Sequence, residues 1–294
     1  MTIAEHEFIR KLLKQRSGLM LSAEKHYLLE SRLLPIAQRR GFANLSALTH
    51  QLRVGSDEAL IVEVVEAMTT NETFFFRDRI PFDHFKSFII PSLLAARTHN
   101  KRIRIWCAAA STGQEPYSLA MLLTEMGHAL DGFRVEILAT DLSNAVLEKA
   151  KAGIYTQFEV QRGLPIQMLL KYFTQSGDLW QIAPNIRSMV QFRPFNLLND
   201  FSRLGTFDLV MCRNLLIYLD QPTKSDILDR LARVTASDGY LILGSAETTI
   251  GLTQAFSTVA DRRGLYAPAH ATMPLDRGAL RRLAVTEPRI APAV

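Results

Sequence analysis

Residues 102–141 read RIRIWCAAASTGQEPYSLAMLLTEMGHALDGFRVEILATD, and this stretch decides the fold of the chain. The apolar residues 103–107 are typical of a buried strand, and they lead into a turn of small side chains at 108–113. Pro116 and the apolar spacing of residues 119–126 then predict a helix with proline in its first turn. Strand, tight turn and helix in this order predict one unit of a parallel α/β sheet.

The second strand of the same stretch is predicted at 135–140 and ends at Asp141. An acid at the end of this strand accepts hydrogen bonds from the hydroxyls of a ribose. The small residues of the preceding turn let a ligand approach the backbone closely. Together these features predict a cofactor that contains a nucleoside.

The turn after the first strand does not suit a phosphate. A dinucleotide site has the pattern G-x-G-x-x-G, whereas Gly113 is the only glycine here, and the chain has no G-x-x-x-x-G-K-[ST] loop. Glu115 would repel a diphosphate, while it suits a cationic ligand. S-adenosylmethionine carries an amine and a sulfonium and no phosphate, so it fits best. An ordinary turn of an unrelated α/β protein is the alternative at this point.

Composition places the chain among ordinary proteins with a packed core. It has 294 residues, of which 48% are hydrophobic and 21% are charged. No apolar run reaches the roughly 18 residues that span a bilayer, and the N-terminus lacks the apolar core of a signal peptide. Cys107 and Cys212 fall in predicted strands, so we expect two buried, reduced thiols. The seven histidines show no ligand spacing, and we predict no metal site.

The positive charge is uneven along the chain. The net charge is +5, and residues 1–56 alone carry nine lysines and arginines against four acids. A basic helical face suits nucleic acid, anionic lipid or an acidic protein partner, and it is also common on a merely solvated surface.

The apolar pattern divides the chain into segments. Residues 1–70 read as a small helical domain, in which Ser22 is expected to cap a second helix and Pro35 to kink it. Residues 71–100 read as a linker, and residues 101–268 alternate strands with helices. Within the latter, an insertion near 155–193 is expected to contain an antiparallel hairpin at GDLWQIA. Strands of the main sheet are predicted at 103–107, 135–140, 190–193, 207–212, 240–244 and 264–267. The tail 269–294 is expected to be disordered.

The predicted linker begins with an unusual run, Thr70 to Asp78, that contains three consecutive phenylalanines. The aromatic rings are expected to anchor the segment in a pocket. If the segment is extended, Asn71, Thr73 and Arg77 lie on one side and present an arginine to a substrate anion. The alternative is that the rings only dock the linker and that Arg77 pairs with Asp78.

Polar residues also follow two later strands. Asn214 comes directly after the strand 207–212, at the edge where open α/β sheets bind ligands, and Tyr218 follows four residues later. The segment resembles the (D/N)PPY motif of amino-group methyltransferases but lacks both prolines, which argues against a base amine as substrate. Asn196 follows the strand 190–193 and suits the edge of an adenine.

Six segments, in order, resemble those of one known family. They read NETFFFRD, WCAAASTGQEPYSLA, ATDLSNAVLEKA, FNLL, CRNLLIY and GYLILGSAE, and the match that includes them runs from about residue 5 to residue 267. This wording is similar to that of the chemotaxis receptor glutamate methyltransferases, the CheR family. The resemblance implies a Rossmann-like class I methyltransferase sheet with a small antiparallel β-subdomain, preceded by a small all-helical domain.

The resemblance also implies an activity and a site. The activity is methyl transfer from S-adenosyl-L-methionine, leaving S-adenosyl-L-homocysteine, to glutamate side chains on the cytoplasmic helices of chemoreceptors. The substrate-orienting, catalytic residues of the family match Arg77 and Tyr218. Its cofactor contacts match Asn71, Thr73, Arg77, Glu115, Asp141, Asn196, Leu197, Asn214 and Leu215.

Two departures from the family pattern concern the first helix and the β-subdomain. Gln114 stands where the family often has a first glutamate, although Glu115 keeps the acid. The loop 175–178 is shorter than in relatives that bind a receptor's C-terminal tail peptide, so the sequence leaves such binding in doubt.

Partners and location follow from the same resemblance. We expect a cytoplasmic enzyme that docks on an acidic receptor bundle through basic helices at 10–16 and 32–40, without nucleic acid and without membrane insertion. A nucleic-acid methyltransferase is one alternative, because the isoelectric point is near 9.3. A non-catalytic adaptor that binds S-adenosylmethionine is the other, and it would not need Arg77 or Tyr218.

Overall fold

A computed structural model of the chain describes residues 1–22, 24, 26–55 and 57–269. The tail for which we expect disorder lies, except for Ala269, outside these residues. No helix in the described ranges has both the length and the apolar character needed to cross a membrane.

Four helices form the N-terminal part, α1 (Ile3–Ser17), α2 (His26–Arg39), α3 (Leu45–Val54) and α4 (Glu58–Met68). Their boundaries follow from local chemistry, since Thr2 forms a capping box with Glu5 and Gly18 ends α1 in the left-handed region at φ 77°. Apolar residues of all four helices share one core, which includes Ile9, Leu33 and Val64.

The second helix is described from His26 and continues through Pro35 to Arg39. The cap expected at Ser22 falls next to residues 23 and 25, which lie outside the described residues. Proline has no N–H, so the carbonyl of Ser31 lacks its usual helical donor, and packing offsets this loss, because Leu33 and Ile36 near Pro35 are buried.

Residues 71–100, expected to be a linker, contain helical structure. After the phenylalanine run come α5 (Ile80–His84), a π-helical turn (Phe85–Ile89) and α6 (Ile90–Ala96). Phe85, Ile89 and Leu93 are buried in the main core. This segment is therefore packed on the sheet, because its apolar residues recur at helical spacing.

The main sheet has seven strands in the order β6-β2-β1-β7-β8-β10-β9. Their bounds are β1 (Arg102–Cys107), β2 (Arg134–Asp141), β6 (Val190–Pro194), β7 (Phe207–Cys212), β8 (Thr235–Leu243), β9 (Phe256–Thr258) and β10 (Leu265–Pro268). The first five pair in parallel, and β9 and β10 pair antiparallel. The predicted α/β class is confirmed. The strand β9 was not predicted, and β8 begins five residues before the expected start at Tyr240.

Helices cover both faces of this sheet. They are α7 (Gln114–Met126), α8 (Asn144–Ala152), α11 (Pro184–Arg187) and α12 (Gln221–Val234). Leu119 and Leu123 of α7 belong to one core, and Ile227 and Leu231 of α12 belong to the core on the other face. Cys107 and Cys212 are buried and free, as expected.

A second, three-stranded antiparallel sheet lies between β2 and β6 in the sequence. It has the order β3-β5-β4, with β3 (Ile154–Thr156), β4 (Phe173–Ser176) and β5 (Leu179–Ile182). Two short helices, α9 (Gln157–Gln161) and α10 (Ile166–Tyr172), complete it. The expected hairpin at GDLW is thus present. The expected insertion 155–193 overlaps β6 (Val190–Pro194) at residues 190–193, and β6 pairs with β2 in the main sheet.

Candidate active site

One cleft brings together all ten residues that the sequence and the family resemblance selected. It opens at the carboxyl ends of β1, β2, β6 and β7, where the strand order reverses between β1 and β7. Its lining includes Asn71, Thr73, Arg77, Glu115, Asp141, Asn196, Leu197, Asn214, Leu215 and Tyr218. Their individual roles stay predictions, since a shared cleft shows proximity and not function.

The turn after β1 forms the floor of the cleft. Ala108, Ala109 and Ser111 line it with short side chains, so a ligand can approach the main chain. Gly113 has φ 95°, and a Cβ there would lie about 3.0 Å from the side chain of Ala150. Only glycine fits this position without displacement, because the conformation is left-handed and the surroundings are closed.

Glu115, in the first turn of α7, is already paired. Its carboxylate accepts a hydrogen bond from Arg213 at 2.8 Å, and both side chains are nearly inaccessible to solvent. Burial raises the pKa of Glu115, and the Arg213 guanidinium opposes that rise. The sequence interpretation, an acid that waits for a cationic ligand, is therefore incomplete, since much of its charge is compensated within the protein.

Arg213 connects three parts of the cleft and was not among the predicted site residues. Besides Glu115, it donates to the backbone oxygen of Arg77 at 2.7 Å and to Asp78 at 2.9 Å. Its Nε is buried and has no acceptor among the described residues. The alternative interpretation of the sequence was an ion pair between Arg77 and Asp78. In the structure Asp78 pairs with Arg213 instead.

Asp141 ends β2 on the opposite side of the floor. Its two carboxylate oxygens accept hydrogen bonds from the backbone N–H groups of Ser111 at 2.8 Å and Ser143 at 3.0 Å. Burial raises the pKa of Asp141, and the two backbone donors oppose that effect. Each oxygen keeps a further lone pair, so the carboxylate can still accept a hydroxyl hydrogen.

The phenylalanine run holds the interdomain segment in place. Phe75 is buried edge-on against Tyr155 and Phe173, and the backbone N–H of Phe76 donates to the hydroxyl of Ser118. The chain turns here, with φ 53° at Phe76, and does not continue as an extended strand. The anchoring that we expected is present, but the extended conformation is not.

Arg77 follows the anchored rings and remains half-buried at the cleft. Its Nη1 donates to the backbone oxygen of Glu72 at 2.6 Å, and its guanidinium lies 5.6 Å from the ring centre of Phe74. Glu72 itself forms an ion pair with Arg162. Arg77 thus has no ion-pair partner among the described residues, which leaves its charge available to a ligand.

Another wall of the cleft is built on the turn after β7. Asn214 has φ 57°, and its backbone N–H donates to Glu247 at 2.8 Å. The same carboxylate accepts from the backbone of Gly244 at 2.7 Å. Glu247 therefore fixes the turn that carries Asn214 and, after one 3₁₀ turn, Tyr218.

The end of α1 closes the cleft from the N-terminal side. Asn196 donates its amide to the backbone oxygen of Arg16 at 2.6 Å, and Met20 donates its backbone N–H to Tyr218 at 2.8 Å. Lys14 forms an ion pair with Asp220 at 2.6 Å. The hydrogen bond from Lys14 is the largest of the effects that lower the pKa of Asp220 to about 2. The Asn196 amide, which we expected at an adenine edge, is therefore partly engaged by the helix.

Comparison with known proteins agrees with this geometry. Residues 71–265 match the family model of the CheR methyltransferase SAM-binding domain, and residues 4–69 match that of the CheR methyltransferase all-alpha domain. The chain belongs to the CheR family. It is 38% identical over 269 residues to the chemotaxis protein methyltransferase Cher2 of Pseudomonas putida, covering 90% of this chain and 98% of that protein.

Two further relatives extend the same finding. The chain is 40% identical over 268 residues to chemotaxis protein methyltransferase 1 of Pseudomonas aeruginosa, covering 89% of this chain and 96% of the relative. It is 34% identical over 256 residues to the chemotaxis protein methyltransferase of Escherichia coli, covering 85% and 86%. Membership extends over both the helical part and the sheet.

The residues present fit S-adenosylmethionine, the cofactor of the CheR family. Arg213 lines the cleft, and its buried Nε has no acceptor among the described residues, as expected where a polar ligand group completes a site. Asp141 has lone pairs for ribose hydroxyls, and the short side chains of the floor leave space at the main chain. No cluster of His, Cys, Asp and Glu within the described residues has the form of a metal site.

Proposed function

We propose that this CheR-family chain transfers a methyl group from S-adenosyl-L-methionine to glutamate side chains on the cytoplasmic helices of chemoreceptors. The products are a glutamate methyl ester and S-adenosyl-L-homocysteine, and the reaction sets sensory adaptation. The family membership and the names of the relatives, chemotaxis protein methyltransferases, support the activity.

The observation that carries the glutamate assignment is the contrast between the two arginines of the cleft. Arg213 is committed to Glu115 and Asp78, whereas Arg77 donates to a backbone oxygen, lies near the ring of Phe74 and forms no ion pair with any residue that the structure describes. A planar guanidinium without an ion-pair partner suits bidentate binding of a carboxylate. Tyr218, which also lines the cleft, adds a neutral donor.

The reaction requires that the acceptor carboxylate be positioned, and it does not require a general base. A glutamate side chain has a pKa near 4.3, so the acceptor is already an anion at neutral pH. Bound cofactor supplies a methyl group on a positively charged sulfur. As the carbon–oxygen bond forms, the carboxylate and the sulfonium both lose their charges, so a dry cleft favours the transition state over solvated ions.

Arg77 acts in this scheme by holding the acceptor oxygen in line with the methyl group. A very strong ion pair would stabilise the bound substrate more than the transition state, so alignment is the useful contribution of Arg77. Misplacing the oxygen by about 1 Å costs on the order of a hundredfold in rate. The rings of Phe75 and Phe76 limit such displacement, because they fix the backbone before Arg77.

The N-terminal helices are proposed as the docking face for the acidic receptor bundle. Their charge is smaller than the count over residues 1–56 indicates, since residues 1–70 contain nine basic and eight acidic residues. Arg39 and Arg40 both pair with Glu63. Docking through this face would therefore need the arginines to share or exchange their present ion pairs with receptor acids. We expect the face to contribute only modestly to receptor affinity.

Two finer points belong to the same proposal. Cytoplasmic receptor helices as substrate imply a cytoplasmic enzyme. The turn between β4 and β5 consists only of Gly177 and Asp178, so the proposal does not include capture of a receptor tail peptide.

The test is incubation of the purified chain with cofactor labelled in its methyl group and membranes that contain the native receptors. We expect label on a receptor-sized band, released by mild base because methyl esters hydrolyse. The Arg77→Ala variant serves as the inactive control. Label on RNA or base-stable label on protein would favour the alternative methyltransferases, and cofactor binding without transfer would favour an adaptor.

A further inference from the structure

A second groove lies beside the cofactor cleft, at the same edge of the sheet. Its walls are the end of β8 with the loop 244–248, the start of β10 and the segment 78–81, and its volume is about 560 Å³. None of the predicted site residues lines it, and the proposed cofactor does not need it.

Three exposed isoleucines lie at this groove or next to residues that line it. Ile80 lines it directly with 49% of its surface accessible. Ile217 lies with its backbone nitrogen 3.3 Å from Glu247, and Ile250 with its backbone nitrogen 3.1 Å from the hydroxyl of Thr248, both lining residues. These two isoleucines are 44% and 73% exposed. Exposed isoleucines grouped around one groove indicate a binding surface more than scattered ones do.

The charge left uncompensated at the groove is positive. Its two acids, Asp78 and Glu247, are bound by Arg213 and by backbone N–H groups. Arg263 lines the groove and Arg79 adjoins it, and neither forms an ion pair within the ranges that the structure describes. A partner for this surface therefore needs apolar side chains together with acids.

The groove adjoins the cleft. Glu247 of the groove accepts a hydrogen bond from the backbone N–H of Asn214 in the cleft at 2.8 Å, and Asp78 of the groove follows Arg77 of the cleft in the chain. A helix rises 5.4 Å per turn, so a helix lying in the groove places the side chains of its neighbouring turns close to the cleft. An occupant of the groove thus lies next to the cleft that holds Arg77 and Asn214.

We propose that this groove binds the acceptor helix itself, an acidic amphipathic helix of the receptor. Its apolar stripe packs on the three isoleucines, and its acids face Arg79 and Arg263, which sets the register in which one glutamate enters the cleft. The inference rests on the proposed function. It differs from docking on the N-terminal helices, because the contact is made at the reacting residue.

The first test is the double variant Ile250→Asp with Arg263→Glu. We expect the KM for receptor to rise by at least about tenfold, while kcat at saturating receptor and the affinity for S-adenosylhomocysteine stay at wild-type values. The control is Ile166→Asp with Leu170→Asp, which places two acids at apolar positions of α10 that are 64% and 71% exposed, against 73% for Ile250, and should leave KM unchanged.

The outcomes separate the two proposals. A wild-type chain that does not methylate receptors would overturn the proposed function and this inference with it. An active wild type whose groove variant keeps its KM would overturn the groove alone.

A second measurement does not depend on turnover or on the folding of the charged variants. Both native cysteines are buried, so a fluorophore attached to an Ile250→Cys variant reports from the groove alone. Addition of a soluble receptor helical fragment should shift its emission, and the same label on Ile166→Cys should not respond. Equal responses from both labels, or none from either, would contradict the assignment.

Discussion

The cofactor cleft and the outer surface of the N-terminal helices both hold arginines in ion pairs, but the pairs differ in exposure. In the cleft, the side chain of Arg213 is 2% exposed and lies between Glu115 and Asp78. On the helices, Arg39 and Arg40 share Glu63, and the two arginine side chains are 62% and 39% exposed.

This difference decides what each pair does. Removing one partner of a buried pair leaves an uncompensated charge and costs about 3–5 kcal/mol, whereas an exposed pair contributes about 0–1 kcal/mol. The buried network can therefore fix the geometry of a site. The exposed pairs can be exchanged for those of a partner at small cost.

The largest effect is expected from Arg213→Met. The substitution leaves Glu115 buried without its cation and releases the backbone of Arg77, so the midpoint of thermal unfolding should fall by roughly 10 °C. Binding of S-adenosylhomocysteine should be lost as well. Differential scanning calorimetry and titration calorimetry measure the two effects.

Arg97→Met is the matched control for this variant. Arg97 pairs with Asp208 and Asp238 at the opposite edge of the sheet and is also largely buried. The Arg97→Met substitution should lower the midpoint of thermal unfolding. At temperatures where this variant is folded, its affinity for the cofactor should be unchanged. Equal loss of affinity in both variants would mean that Arg213 acts only through stability.

A large effect on rate, with little on stability, is expected from Arg77→Lys. Lysine keeps the charge but lacks the planar fork, so kcat should fall about a hundredfold through loss of alignment. Arg162→Lys is the control, because Arg162 lies over the same Phe74 ring and pairs with Glu72. Similar values of kcat for the two variants would remove Arg77 from its proposed role.

Tyr218→Phe should have a smaller effect on the same step. It removes one neutral hydrogen bond of about 1 kcal/mol, so kcat should fall by roughly fivefold to tenfold. The backbone contact of Tyr218 with Met20 is unaffected, so stability should not change. A rate equal to that of the wild type would show that the hydroxyl does not contact the acceptor.

The smallest effect is expected from Arg39→Glu combined with Arg40→Glu. Reversed charge on the proposed docking face should raise the KM for receptor by a few fold, because exposed pairs contribute little, and should leave cofactor affinity alone. Arg102→Glu with Arg134→Glu is the matched control, since these two arginines share Glu136 away from the helices. Unchanged receptor kinetics in both variants would exclude this face from docking.

The fold and the position of the cleft could be predicted from the sequence because both depend on signals between residues close together in the chain. Strand periodicity and the turn before Gly113 are short-range signals, and parallel strands bring their carboxyl ends to one edge. Asp141, Asn214 and Tyr218 could therefore be assigned to the same crevice before the structure was available.

The charge network could not be predicted in the same way. Arg213 and Glu115 are separated by 98 residues, and Glu247 reaches Asn214 across 33. Long-range pairs of this kind leave no periodic pattern, and an arginine directly after a buried strand was the only local signal. The count of basic residues over 1–56 overestimated the positive charge of the helical part for a related reason. Glu58 and Glu63, which pair with Arg16 and Arg39, come later in the sequence.

The central claim is that the cleft between α1 and the sheet binds the methyl donor, with Arg213 and Asp141 ready to receive it. Titration calorimetry of the purified chain with S-adenosylmethionine and with S-adenosylhomocysteine tests it most directly. We expect one site per chain for both ligands, and loss of that site in Arg213→Met at a temperature where the variant is folded. Absence of binding for both ligands would contradict it.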